Sequence, residues 1–344
     1  SELYDVRGTI VSAGGGKALI DLALKANTDK GQVAASHALA KLAINMDPRI
    51  VFPGQRSLET IRPILRLLHV ECTAMQTFEA LLALTNLASL DETHRHRIMA
   101  EHGVPAIDQY LFDEHEHLRR AAAECYSNLA QYHAFVVNCG GSLPMDESHL
   151  SIGKELTVFG STERIKLLLL YCTEVEDLAL VNAAAGALAT MAYDPGIIEQ
   201  ITKVSSWFDL VQTLACIEAP AVQHRAAYLV RQLIYHGDKS LAEFLSKSSM
   251  FEVLLALSQL DDIDPKSEPP PSAVVLGRGL PKDVLLQKVI QDRLMTKKWA
   301  QQGLEKLQEY GFVMAVPENK REAVKKLLRK QKELANKSET ITEE

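Results

Sequence analysis

Apolar residues recur along this chain at intervals of three and four, with polar residues filling the gaps. That is the pattern of helices that bury one face. It is plainest in five segments: VAASHALAKLA ending at Ala43, FEALLALTNLA at Ala88, RAAAECYSNLA at Ala130, NAAAGALATMA at Ala192 and HRAAYLVRQLI at Ile234. Successive ends lie 45, 42, 62 and 42 residues apart. A period of about 40–47 residues belongs to armadillo and HEAT repeats; ankyrin and tetratricopeptide units repeat at about 33–34. The one long interval predicts an insertion of about 20 residues in a single repeat.

A second apolar helix precedes each of these segments: KALIDLALKA, LETIRPILRLLH, VPAIDQYLF, ERIKLLLLYC and WFDLVQTLAC, with a sixth, FEVLLALSQL, near Met250. Gly16, Gly103 and Gly160 precede three of them as turn punctuation. With a short extra helix between repeats, the pattern predicts an all-α fold, an armadillo-type right-handed superhelical solenoid. One unit cannot cover its own apolar face, but a stack can. The repeats fill residues 1–260, with the insertion at about 132–162; 261–281 is an acidic, Pro-rich linker, 282–316 holds C-terminal helices, and 317–344 is a charged, partly disordered tail.

Composition narrows the picture. Apolar residues make up 47% of the chain but aromatics only 6%, which favours helices packed on helices over a β-sandwich. A net charge of −7 argues against a general nucleic-acid binder. The cysteines Cys72, Cys125, Cys139, Cys172 and Cys216 are odd in number, scattered and without a C-x-x-C, so they read as reduced thiols of a cytosolic protein. No apolar run approaches the roughly 18 residues that span a bilayer, and no membrane partner is expected. SELYDVRG has no signal-peptide character and no initiator Met, so the sequence reads as a piece of something longer.

Aligned on the segment ends, Asn86 matches Lys41, Asn128, Thr190 and Gln232, polar residues among Ala and Leu. One turn earlier lie His37, Leu82, Glu124, Gly186 and Tyr228; two turns earlier, Ala34, Glu79, Ala121, Ala183 and Arg225. In armadillo-type repeats this part of the third helix faces the concave groove, where an amide can pair with an extended peptide backbone. The expected groove set is Asn86, Asn128, Gln232, Tyr228, Arg225, Glu124, Glu79, His37 and Lys41. The alternative is that the asparagines bond a neighbouring helix and fix the stacking of the repeats.

The runs GGGKALIDLAL, FPGQRSLETIRPILRLL, FEALLALTNLASLDE, RRAAAECYSNL, NAAAGALATMA and VQHRAAYLVRQL resemble the UCS domain of the UCS-family myosin chaperones, over roughly residues 5–255. AQQGLEKLQEYGFV (Ala300 to Val313) is similar to that family's C-terminal helix. The resemblance implies a superhelix that binds the myosin motor domain and helps it fold or stay folded. It also implies cytoplasmic residence, with association with myofibrils or other actomyosin structures. The family's N-terminal tetratricopeptide domain, which docks general chaperones such as Hsp90, has no counterpart here. A generic armadillo scaffold carrying a linear peptide, as importins and catenins do, is the alternative.

The insertion, YHAFVVNCGGSLPMDESHLSIGKELTVFGST, contains Gly140, Gly141, Pro144 and Gly153 and is expected to be a loop. Its Leu143, Met145 and Leu150 are candidate client contacts, against a merely tolerated surface insertion; UCS domains carry a mobile loop in this region. Seven basic residues from Lys320 to Lys332 face one acidic residue, Glu322; a solvated helix is expected, against an acidic partner or membrane surface.

No cofactor is expected. GGGK (Gly14 to Lys17) resembles a phosphate loop but lacks the spaced first Gly and the following Ser or Thr. His94, His96, His115 and His117 come in i, i+2 pairs, which point to different helix faces and are expected to be solvated rather than metal-bound. With no nucleophile–base pattern to read, no enzyme activity is expected.

Overall fold

Helices form wherever the three-and-four pattern runs in the computed structural model, which describes residues 4–69, 71–142, 160–277 and 279–313; no strand occurs among them. The chain divides into two compact units, Ser1–Arg164 and Ile165–Glu344.

The first unit begins with α1 (Tyr4–Ser12), α2 (Gly15–Lys25) and α3 (Asp29–Asn45). The next repeat holds α4 (Pro48–Val51), α5 (Arg56–Glu59), α6 (Ile61–Leu65) and α7 (Ala74–Leu90); the one after it holds α8 (Glu92–Ala100), α9 (Gly103–Leu111) and α10 (Glu116–Leu129). The long third helices α3, α7 and α10 lie side by side. Their buried faces are small and aliphatic: Leu39, Ala40 and Ala43; Leu84, Leu87 and Ala88; Ala122, Ala123 and Leu129. Small residues let neighbouring helices approach closely, which stacks these repeats in an armadillo-like manner.

The second unit repeats the scheme. The helix α12 (Ser161–Tyr171) crosses the division between the units and is followed by α13 (Leu178–Met191), α14 (Pro195–Lys203), α15 (Trp207–Cys216) and α16 (Pro220–His236). The last repeat has α17 (Lys239–Lys247), α18 (Ser249–Ser258), a short α19 (Pro271–Leu276) and the 28-residue α20 (Lys282–Glu309). Here α13, α16 and α20 are the stacked third helices.

Local chemistry fixes the helix starts. The Thr73 hydroxyl accepts from the Gln76 N–H while the Gln76 side chain accepts from the Thr73 N–H, a reciprocal cap on α7. Asp91, Asp177, Asp194 and Asp238 cap α8, α13, α14 and α17 in the same sense, each carboxylate accepting an orphan backbone N–H.

Several expectations need correction. LETIRPILRLLH is not one helix. It is split into α5, α6 and a 3₁₀ turn over Arg66–Leu68, because Pro63 has no N–H to continue a helix from α5. The insertion does not begin as a loop, since residues His133–Asn138 form α11, with Ala134, Phe135 and Val136 buried. Arg164, 1% exposed, holds that helix: Nη2 donates to the Asn138 carbonyl at 2.6 Å, Nη1 to Asn138 Oδ1 at 2.9 Å, and the buried Asp108 carboxylate lies 4.0 Å away. Leu143, Met145, Leu150 and the basic tail lie outside the described residues. Over its described residues, 282–313, the C-terminal segment contributes one long helix rather than several, and the Pro-rich linker 261–281 contains α19 and is tied back to α20 by the Asp262–Lys297 ion pair at 2.6 Å. At the turn before α9 the positive φ falls on His102 (58°); Gly103 is small for another reason, because a Cβ there would sit 2.6 Å from the Ile98 carbonyl oxygen.

Candidate functional site: the row along the third helices

In the first unit, side chains of this row reach the neighbouring third helix. His37 on α3 pairs with Glu79 on α7, both half-buried. Asn86 Nδ2, on α7, donates to the carbonyls of Ala43 at 3.1 Å and Ile44 at 3.4 Å. Those two belong to the last turn of α3, whose carbonyls have no partner within their own helix. Asn128 Nδ2, on α10, donates to the Thr85 carbonyl at 2.9 Å. Both amides therefore point the same way, back to the preceding third helix, and tie neighbouring repeats together. Thr85, Asn86's polar neighbour, returns its hydroxyl to the Leu81 carbonyl of its own helix at 2.9 Å. Asn86 also lines a shallow hollow with Asp47, Arg49 and Ser89, so its amide is not sealed off. Lys41 and Glu124 are half-buried along the same row.

The second unit treats its row differently, because α20 runs alongside α16 and covers it. His224 meets Asp292 at 3.1 Å, the Tyr228 and Trp299 rings lie 5.0 Å apart, and Arg231 Nε donates to Gln302 Oε1 at 3.0 Å. The Arg231 guanidinium also sits 3.9 Å over the Tyr235 ring. Gln232 is 2% exposed and accepts from Arg231 Nη1 at 2.6 Å, so it offers no amide to a peptide. Arg225 donates from Nε to Asn182 Oδ1 on α13 at 2.6 Å, and burial pulls its pKa below the ordinary arginine value. Tyr228 stays half-buried.

Sequence reasoning missed Asn182, His224, Asp292, Trp299 and Gln302. One signal could have found Asn182. The bonds Asn86–Ala43, Asn128–Thr85 and Arg225–Asn182 all span 43 residues, one repeat. A polar residue one period from another is a candidate partner across the stack.

The histidines divide. His94 is 6% exposed and bridges Asp91 and Ser57, at 2.8 Å each, and His96 meets the Tyr132 hydroxyl at 2.9 Å; neither is solvated as expected. His115 and His117 are exposed. No group of three or more metal-ligating side chains occurs among the described residues. No helix among them is long and apolar enough to cross a membrane.

Three-helix units with laterally stacked third helices define an armadillo-type repeat protein. No protein-family model matches the chain. It is 38% identical over 262 residues to protein unc-45 homolog B of Xenopus tropicalis, covering 76% of this chain and 26% of that protein. The structure of UNC-45 from Drosophila melanogaster superposes with a TM-score of 0.71 at 34% identity, over 90% of this chain and 33% of that one. The C. elegans myosin chaperone UNC-45, solved with an Hsp90 peptide, gives 0.63 at 30% identity, over 87% and 28%. The chain belongs to the UCS-domain myosin-chaperone family and spans about a quarter of the length of the curated relatives it matches.

Proposed function

We propose that this chain is a chaperone domain for myosin, which holds the motor domain against the exposed edges of its third helices and keeps it from aggregating. The observation that carries this reading is the likeness to UNC-45 proteins over the repeats. A long helical array offers a client many contacts at once, and binding of this kind calls for neither catalysis nor nucleotide. In the first unit the client side is polar and of mixed charge: His37, Lys41, Glu79 and Glu124, with the Oδ1 atoms of Asn86 and Asn128 as acceptors. Tyr228 and Arg225 serve in the second unit, while buried Gln232 drops out. Leu143, Met145 and Leu150 supply a second, apolar contact. The protein works in the cytoplasm near actomyosin, and docking of general chaperones such as Hsp90 belongs to a domain outside this sequence.

The peptide-carrier alternative needs asparagine amides that give and take hydrogen bonds with a peptide backbone. Here the donor half of both asparagines is already engaged by the neighbouring helix, which disfavours that reading. Immobilised chain should retain myosin motor domains from a panel of isoforms, and the pair Glu79→Lys and Glu124→Lys should weaken retention about tenfold. Retention of no motor domain, or undiminished retention by the charge-reversed chain, would overturn the proposed contact.

A further inference from the structure

The second unit encloses a pocket of about 350 Å³ between α13, α16, α19 and α20. It is lined by the aliphatic Ala221, Leu276, Leu285 and Val289 and by the polar Asn182, Arg225, Ser272 and Lys288. A volume of this order suits a small ligand or a single chain end.

Arg225 is the unusual member. Its Nε is fixed by Asn182 Oδ1 at 2.6 Å, which aims the rest of the planar guanidinium, while its two η nitrogens make no hydrogen bond or ion pair within the described residues. Burial lowers its pKa while the Asp292 charge acts in the opposite sense. A buried guanidinium that shares the Asp292 carboxylate with His224 is costly, and a bound anion would offset that cost. Two further donors line the pocket: the Asn182 amide nitrogen, and the Ser272 hydroxyl, which is buried without a partner among the described residues. The nearby Asp292 carboxylate is already engaged by His224 at 3.1 Å. Arg225 and Lys288 against Asp292 leave the lining with a net positive charge.

We propose that this pocket binds a carboxylate carried on a short aliphatic stem, with the carboxylate on Arg225, Asn182 and Ser272 and the stem on Leu285 and Val289. An Arg fork matches a carboxylate's two oxygens, and the floor suits several methylenes. The source is either the C-terminus of a peptide that ends in an aliphatic residue or a free short-chain acid. This site does not depend on the client being myosin.

The test titrates the full chain with hexanoate and with hexanamide, observed by saturation-transfer NMR. A second arm uses the peptide acetyl-Ala-Ala-Leu as free acid and as C-terminal amide. Saturable binding of one or both acids is expected, with each amide at least about tenfold weaker. Arg225→Met should weaken acid binding by a similar factor. Ala221→Trp, which leaves Arg225 in place and fills the pocket, should abolish it, and this variant carries the test if Arg225→Met fails to fold. Competition between the acids identifies the source: displacement of hexanoate by the peptide acid at lower concentration assigns a chain terminus, and binding of hexanoate alone assigns a free acid. Equal binding of acid and amide, undiminished binding by folded Arg225→Met or Ala221→Trp, or no saturable binding of either acid would overturn the proposal.

Discussion

Replacing Asn86 by alanine should loosen α7 from α3 without melting either helix. The variant loses the bond to the Ala43 carbonyl at 3.1 Å and the weaker one to Ile44 at 3.4 Å, together worth about one net hydrogen bond, or ~1 kcal/mol. The site is half-buried and opens on a hollow, so water can reach the freed carbonyls and the loss stays below the full penalty for sealed polar groups. Asn128→Ala removes one bond of 2.9 Å to Thr85 and should cost about the same, ~1 kcal/mol. Because Thr85 adjoins Asn86, both changes disturb one turn of α7. Their double variant should depart from additivity by more than the ~0.3–0.5 kcal/mol typical of independent sites. Urea unfolding followed by circular dichroism, on parent, singles and double, measures all three quantities. Single variants with the parent's midpoint would refute the stacking role and return the asparagines to client binding alone.

Arg164→Ala takes the guanidinium away from the buried Asp108 carboxylate and the Asn138 groups and should cost about 3–5 kcal/mol, whereas joint Arg164→Met and Asp108→Leu should be much milder; thermal denaturation separates the two. Thiol labelling of the folded chain at pH 8 should modify Cys72 first and spare Cys125 and Cys139, whose burial pushes their pKa values up to about 12 and about 11; mass spectrometry reads the order. Hydrogen bonds from the Leu241 N–H and the Ser240 hydroxyl hold the Asp238 carboxyl below its ordinary pKa. Its folded pKa is thus lower than its unfolded one, so its contribution is present above the unfolded value and is lost as pH falls through the folded one. Asp238→Asn should therefore flatten the acid limb of stability below about pH 4, as urea midpoints at neutral and acid pH would show.

The fold was legible where one helix decides its own pattern. The five third-helix segments and the roughly 42-residue spacing depend only on which residues are apolar, and all five appear as α3, α7, α10, α13 and α16. What depends on a distant partner was not. Nothing in HRAAYLVRQLI shows that a helix starting at Lys282 will cover Gln232, and nothing in THRHR shows that Ser57 will meet His94. The helix α11 stops just before Gly140 and Gly141, and the apolar run AFVV ahead of them is its signal in the sequence. The polar row itself could be read from position, but its dual nature could not. A periodicity places Asn86 on a face and cannot say whether a neighbouring carbonyl already uses its N–H.

The proposed function rests on direct contact between this chain and a myosin motor domain. Light scattering of a purified motor domain, heated with increasing amounts of the chain and no nucleotide, tests it most directly. Aggregation should fall to near background at about one chain per motor domain, and Glu79→Lys with Glu124→Lys, still folded by circular dichroism, should protect far less. Aggregation that proceeds unchanged at a several-fold excess of the folded chain would contradict it.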